Sequence, residues 1–191
     1  WLQTNQPDVL ALQETKVMDE MFPLDVFKPL GYQASIYGQK SYNGVAFLTK
    51  KSPTGLTKGI EGFTDDQTRV IAGIFSGVLI INVYVPNGQS VGSEKFDYKM
   101  RWLKHFYIHL QTLLKTHQKI VILGDFNIAP DDMDVHDPEL WKDKVLCSEN
   151  ERRWLNEILG LGFSDSFRLF EQQEGLYSWW DYRAAAYRRK M

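Results

Sequence analysis

Short apolar runs separated by polar turns dominate the first half of the chain. Continuous runs of this length, bounded by turn residues, are typical of buried strands. The Gly- and Pro-containing stretch 52–62 is expected to cross between strands, and Ser76-Gly77 to form a hairpin turn. The four middle runs predict a meander of antiparallel strands, and the outer two are expected to be buried strands, the first of them covered on both faces. The predicted strands are DVLALQE (8–14), GYQASIYG (31–38), NGVAFLTK (43–50), RVIAGIFS (69–76), VLIINVYV (78–85) and KIVILGDFN (119–127).

Two segments change to the period of a helix. After Ser93, a plausible N-cap, apolar residues recur every three or four positions and predict one apolar stripe. A second helix is indicated by Ser148 and Glu151, which have the spacing of a capping box. The residues of the first predicted stripe are Phe96, Met100, Leu103, Tyr107, Leu110 and Leu114. Strands alternating with outer helices predict one layered α/β domain over residues 1–191.

Composition adds few constraints to this picture. The chain has 191 residues, a formal net charge of -2 and one cysteine, Cys147. A near-neutral charge means that any contact with nucleic acid must come from a local basic patch. A single cysteine excludes an internal disulfide and fits a reducing compartment, so a cytoplasmic protein without a membrane span is expected. A monomer is the simplest expectation.

Candidate chemistry lies where two predicted strands end. Glu14 closes the run VLALQ, and Asp125 follows the run IVILG. Carboxylates at neighbouring strand ends can share a Mg²⁺ ion, which proteins hold through one or two carboxylates plus water and substrate phosphate. An isolated carboxylate at a strand end is more often a solvated cap, so the pair alone is weak evidence.

Four motifs strengthen the argument, because they occur together and in order: LQETK (12–16), VYVPNG (83–88), GDFNIAP (124–130) and SWWDYR (178–183). In this the chain resembles apurinic/apyrimidinic endonucleases of the exonuclease III type, within the endonuclease/exonuclease/phosphatase superfamily. The resemblance implies a four-layered α/β sandwich of two packed mixed or antiparallel sheets with outer helices. It also implies hydrolysis of the DNA backbone 5′ to an abasic site, with 3′-to-5′ exonuclease and 3′-phosphatase activity.

The resemblance also assigns roles to residues that match these motifs. Glu14 matches a metal-binding glutamate. Asp125 matches an aspartate that orients or activates the attacking water, and Asn127 an asparagine that hydrogen-bonds to active-site groups or phosphate. Both are candidates for the metal shell. Tyr84 matches a tyrosine that donates a hydrogen bond to the scissile phosphate, and Asn87 a residue that contacts phosphate. The implied cofactor is Mg²⁺, with Mn²⁺ as an alternative.

Recognition of a missing base requires a shaped apolar pocket, because an abasic sugar offers no base edge to read. Trp179 occupies the position of the aromatic residue that packs on the sugar in the family that the chain resembles, whereas Trp180 is expected to be core. Arg69 and Arg183 are the basic residues expected to neutralise phosphates. The predicted partner is double-stranded DNA with abasic sites or blocked 3′ ends.

The resemblance also leads us to expect a chain that is incomplete at both ends. The first strand of the family and its later segments, which carry further carboxylates and a histidine, have no counterpart here. Two other classes stay open at this point: another metal-dependent phosphodiesterase or phosphatase of the superfamily, and a non-catalytic DNA-binding fragment. The acidic run Asp131, Asp132 and Asp134 is expected to be a solvated turn and helix start.

Overall fold

The fold is described from a computed structural model, which covers residues 1–170, 173, 175–180 and 185–189. Within these residues the strands are β1 (Val9–Gln13), β2 (Gln33–Tyr37), β3 (Val45–Thr49), β4 (Thr54–Lys58), β5 (Val70–Phe75), β6 (Val78–Tyr84) and β7 (Ile120–Asp125). The helices are α1 (Leu2–Asn5), α2 (Leu24–Phe27), α3 (Glu94–Leu113), α4 (Pro138–Trp141), α5 (Glu149–Gly160) and α6 (Ala186–Arg189). Short 3-10 turns occupy Asp19–Met21, Lys28–Leu30, Asp132–Asp134 and Phe167–Leu169.

The strands form two sheets of different composition. One has the order β1-β3-β2 with antiparallel pairs throughout, and the other has the order β4-β5-β6-β7. The β6–β7 pair is parallel, whereas the β4–β5 and β5–β6 pairs are antiparallel. This two-sheet α/β architecture confirms the predicted fold class. The single meander is wrong, because consecutive strands are divided between two sheets.

The chain groups into two compact units. One comprises Trp1–Val85 with Ile108–Phe126, and the other comprises Pro86–Tyr107 with Asn127–Met191. Both sheets belong to the first unit, where Val45, Phe47 and Ile71 form one buried cluster. The single domain expected from the sequence stays a prediction.

Three local expectations need correction. The stretch 52–62 is not only a connection between strands, because it contains β4. All residues of β4 are exposed, and the strand pairs with β5 through a bulge. Strands β1 and β7 are only partly buried, and within the described structure β7 pairs with β6 alone. The predicted stripe of α3 is only partly correct. Phe96, Leu103 and Leu110 are buried as predicted, but Leu114 is exposed. The other buried positions of the helix are Lys99, Trp102, Phe106 and His109.

The helix starts and the hairpin turn are as predicted. Ser93 Oγ accepts a hydrogen bond from Phe96 N at 3.2 Å, so it caps α3. Ser148 and Glu151 form the reciprocal capping box at the start of α5. The turn Ser76-Gly77 joins β5 to β6 with positive φ at both residues, as in a type I′ hairpin turn.

Candidate active site

Glu14 is the first residue after β1, and its backbone is unusual. Its φ of 54° lies in the left-handed region, which typically costs a non-glycine residue about 1–2 kcal/mol. Its carboxylate oxygen Oε2 lies 2.7 Å from Lys16 Nζ, and the side chain is 36% exposed. The surrounding fold therefore holds a strained glutamate at an accessible strand end, as functional positions often require.

Tyr84 and Asp125 lie side by side at the ends of the parallel strands β6 and β7. They are register partners, and Val85 N donates to Asp125 O at 2.9 Å. The close approach depends on Gly124, where a Cβ atom would lie 2.0 Å from Val83 O. Paired residues of adjacent strands project to the same face of a sheet, so the two functional groups are directed to one side.

Charge and burial fix the protonation state of Tyr84. Burial, and after it the negative charge of Glu14, raises the pKa of the phenol to about 12. The positive charge of Arg69 lowers this pKa. A hydrogen bond from the phenol to Glu14 and the charge of Asp125 raise it further. The phenol thus stays protonated at neutral and mildly alkaline pH and can donate a hydrogen bond. We call Glu14, Tyr84 and Asp125 the strand-end cluster.

Arg69 supports Tyr84 from within the protein. Only 8% of the residue is exposed. Its guanidinium donates to Tyr84 O at 3.0 Å and to Gln67 Oε1 at 2.8 Å. The guanidinium carbon also lies 4.6 Å from the centroid of the Tyr84 ring, within cation–π range. Arg69 therefore orients Tyr84, and its contact with DNA stays a prediction.

Asn82 is a supporting residue that sequence reasoning missed. It is fully buried in β6, and its Nδ2 donates to Leu12 O and Ala46 O at 3.0 Å each. Its Oδ1 accepts a hydrogen bond from Gln13 Nε2 at 2.7 Å. One amide thus joins the two sheets, two residues before Glu14 along β1 and two before Tyr84 along β6. A lone asparagine within the apolar run VLIINVYV was the available signal, because buried amides are almost always hydrogen-bonded.

In the second unit, Asn87 and Asn127 form a hydrogen-bonded amide pair. Asn87 Nδ2 donates to Asn127 Oδ1 at 3.1 Å, and Asn87 Oδ1 accepts from Gln89 N at 3.1 Å. Asn127 is 7% exposed and has a φ of 47°, whereas Asn87 is exposed. Side-chain amides offer both donors and acceptors, so the pair can bind a phosphate or orient a polar group. We call these two residues the amide pair.

The remaining predicted DNA contacts lie near the carboxyl end. Trp179 is 41% exposed, and residues 175–180 form no strand. Its contact with an abasic sugar stays a prediction. Trp180 is partly exposed rather than core, and its ring contacts Tyr187 edge-on at 5.2 Å. Arg183 lies outside the described residues.

The strand-end cluster has the donor chemistry of a site for a hard divalent cation. The charges of Glu14 and Asp125 both raise the pKa of the Tyr84 phenol, so both carboxylates lie within electrostatic range of it. Hard cations prefer oxygen ligands of this kind and require only one or two carboxylates when water and phosphate complete the shell. Among the described residues no group of three or more His, Cys, Asp or Glu is arranged to hold a metal.

The acidic run after β7 has a structural explanation. Asp131 and Asp134 form a reciprocal capping box around the short 3-10 turn Asp132–Asp134, so the predicted turn is present, although Asp134 is mostly buried rather than solvated. Asp132 and Asp134 are further paired with Arg152 and Arg168. These carboxylates therefore stabilise a turn.

Two packed sheets with polar groups at their strand ends are the architecture of exonuclease III-like α/β nucleases. The chain belongs to the Endonuclease/Exonuclease/phosphatase family, whose sequence pattern matches residues 1–190. It is similar to exodeoxyribonuclease III of Haemophilus influenzae, with 38% identity over 95% of this chain and 73% of that protein.

Solved structures agree with this assignment. A 3′ phosphatase from Neisseria (NExo), bound to a product DNA hairpin, has 41% identity and a TM-score of 0.96, covering 100% of this chain and 74% of that one. An AP endonuclease from Archaeoglobus fulgidus has 38% identity and a TM-score of 0.91, covering 100% of this chain and 75% of that one. In the part of the chain that the structure describes, no helix is long and apolar enough to cross a membrane.

Proposed function

We propose that the chain is a Mg²⁺-dependent DNA-repair nuclease that hydrolyses the DNA backbone 5′ to abasic sites. We include 3′-to-5′ exonuclease and 3′-phosphatase activity in the proposal. The observation that carries it is the strand-end cluster, in which Tyr84 pairs with Asp125 in the β6–β7 register and the phenol also hydrogen-bonds to Glu14 at the end of β1. The relatives named as an exodeoxyribonuclease, a 3′ phosphatase and an AP endonuclease support DNA as the substrate.

The proposed roles follow from the chemistry of each side chain. Asp125 accepts a proton from the water that attacks phosphorus, the bond from phosphorus to the 3′ oxygen breaks, and that oxygen takes a proton from solvent to leave as a 3′-hydroxyl. Tyr84 donates a hydrogen bond to a phosphoryl oxygen. Glu14 and Asp125 would hold Mg²⁺, and the amide pair would bind phosphate, with Asn127 as a further candidate metal ligand. When bound, Mg²⁺ supplies charge neutralisation at the phosphoryl and leaving oxygens.

The direct test is cleavage of a labelled duplex that contains one abasic-site analogue. We expect a single cut on the 5′ side of the analogue, which requires Mg²⁺ and is abolished by EDTA. An intact duplex and a duplex with a 3′-phosphate end separate the endonuclease, exonuclease and phosphatase activities. Cleavage of none of these DNAs, or equal cleavage with and without metal, would contradict the proposal.

Trp179→Ala tests the proposed sugar pocket. We expect about a tenfold lower rate on the abasic duplex and a much smaller loss on a 3′-phosphate end. Only the abasic substrate needs a displaced sugar to be held by shape, and a lost apolar contact typically changes rates by about 10–200-fold. Trp180→Ala is the matched control, because that ring packs on Tyr187. Equal losses on both substrates would make Trp179 a packing residue.

A further inference from the structure

Lys99 of α3 is a lysine with no exposed side-chain surface. Its partner, Glu151 of α5, is equally buried, with side-chain exposures of 0% and 0%. Burying two charges removes their hydration, and the cost is recovered only when good geometry and further hydrogen bonds compensate. An apolar pair of similar size would fill the same space, so the retained charges call for a reason beyond packing.

The contacts of the Lys99 ammonium suggest that reason. Nζ donates to Asn127 O at 2.6 Å and to Asn87 O at 3.2 Å. It also donates to the Glu151 carboxylate. An ammonium has three donors. Two of its hydrogen bonds therefore reach the backbone carbonyls of the amide pair.

Glu151 holds the ammonium in place. Its Oε1 accepts from Leu146 N at 3.0 Å, and its Oε2 accepts from Ser148 N at 3.2 Å and Ser148 Oγ at 2.5 Å. These bonds fix the carboxylate at the first turn of α5. Because the anchor cannot rotate freely, the direction of the Lys99 ammonium is also fixed.

The same lysine supports the backbone of the amide pair. Asn127 has a φ of 47°, a region that costs energy even though asparagine tolerates it better than most residues. The short hydrogen bond from Nζ to Asn127 O stabilises this conformation. The aliphatic stem also packs below Gly88, where a Cβ atom would lie 3.1 Å from Lys99 Cδ. Lys99 thereby fixes both loops that carry the two amide side chains.

We propose that Lys99, anchored by Glu151, is a positioning residue that sets the orientation of Asn87 and Asn127 for phosphate binding. The inference rests on the proposed nuclease function. The buried ion pair, which packing alone does not require, then has a functional role. Lys99 affects the reaction through the amide pair.

The test separates positioning from stability. Lys99→Met leaves Glu151 buried without its cation, so both the melting temperature and kcat on the abasic duplex should fall. Lys99→Met combined with Glu151→Gln removes both charges and should recover part of the melting temperature lost in the single variant, because the uncompensated buried charge is gone. We expect kcat of this double variant to stay at least about tenfold below wild type, because no group then holds the two carbonyls. Recovery of kcat together with stability would overturn the inference.

A second cycle uses Asn87→Ala combined with Asn127→Ala. If Lys99 acts through the amide pair, adding the Lys99→Met and Glu151→Gln changes to this variant should lower kcat by less than about twofold further. Fully additive losses would overturn the inference, and so would a charge-free double variant that does not fold. A wild-type chain that cleaves no abasic duplex would instead refute the proposed function. An active wild type whose kcat is insensitive to Lys99 would refute only the positioning role.

Discussion

Asp125→Asn is expected to lower kcat on an abasic duplex by about a thousandfold or more, a loss of about 4 kcal/mol of transition-state stabilisation. The amide has the size and shape of the carboxylate but cannot accept the proton of the attacking water. It also removes one negative charge from the strand-end cluster. Steady-state cleavage of the labelled duplex at saturating Mg²⁺ and DNA measures kcat.

Two controls make the Asp125 result interpretable. The melting temperature should change little, because Asp125 is held to Val85 by its backbone carbonyl, which the substitution leaves in place. Asp8→Asn is a matched substitution just before β1, at a carboxylate that is 92% exposed. A loss of less than about tenfold at Asp125, or an equal loss at Asp8, would remove Asp125 from the proposed role.

Strands with regular apolar runs could be predicted from the sequence, because local pattern and burial agree there. β3 and β5 are examples, since their central residues are buried. β4 could not be predicted, because TGLTK is exposed along its length and is held by its hydrogen bonds to β5. Division of the strands between two sheets is likewise a tertiary property, which hydrophobic pattern does not encode.

The same distinction applies to the candidate site. Glu14 and Asp125 could be proposed because each ends an apolar run. Their proximity to Tyr84 depends on the pairing of β6 with β7 and on the packing of the two sheets, neither of which is local.

Lys99 was missed because a lysine is read as a solvated residue. Its position, three residues after Phe96 and four before Leu103, places it on the buried face of α3. A charged residue in an apolar stripe is thus a signal of a buried ion pair. The sequence also contains a carboxylate able to pair with it, but the contact with Glu151 spans 52 positions.

Glu14→Gln is the second large effect that we expect. It should lower the cleavage rate by at least about a hundredfold, equivalent to about 2.7 kcal/mol, and raise the Mg²⁺ concentration needed for half-maximal rate. A neutral amide is a weaker ligand for a hard cation than a carboxylate. Rates measured across a Mg²⁺ titration distinguish a lost metal ligand from a lost contact with DNA, because only the former shifts the midpoint.

A substitution at Lys16 provides a second test of Glu14 as a metal ligand. The Lys16 ammonium lies 2.7 Å from the Glu14 carboxylate, so it competes with a cation for the same oxygen. Lys16→Met should therefore lower the Mg²⁺ concentration at half-maximal rate, in the direction opposite to Glu14→Gln. Glu20 is an exposed carboxylate in the 3-10 turn Asp19–Met21, so Glu20→Gln should leave that concentration unchanged. Opposite shifts would identify Glu14 as a metal ligand. An unshifted midpoint in Glu14→Gln would exclude it from the metal shell, whatever the loss of rate.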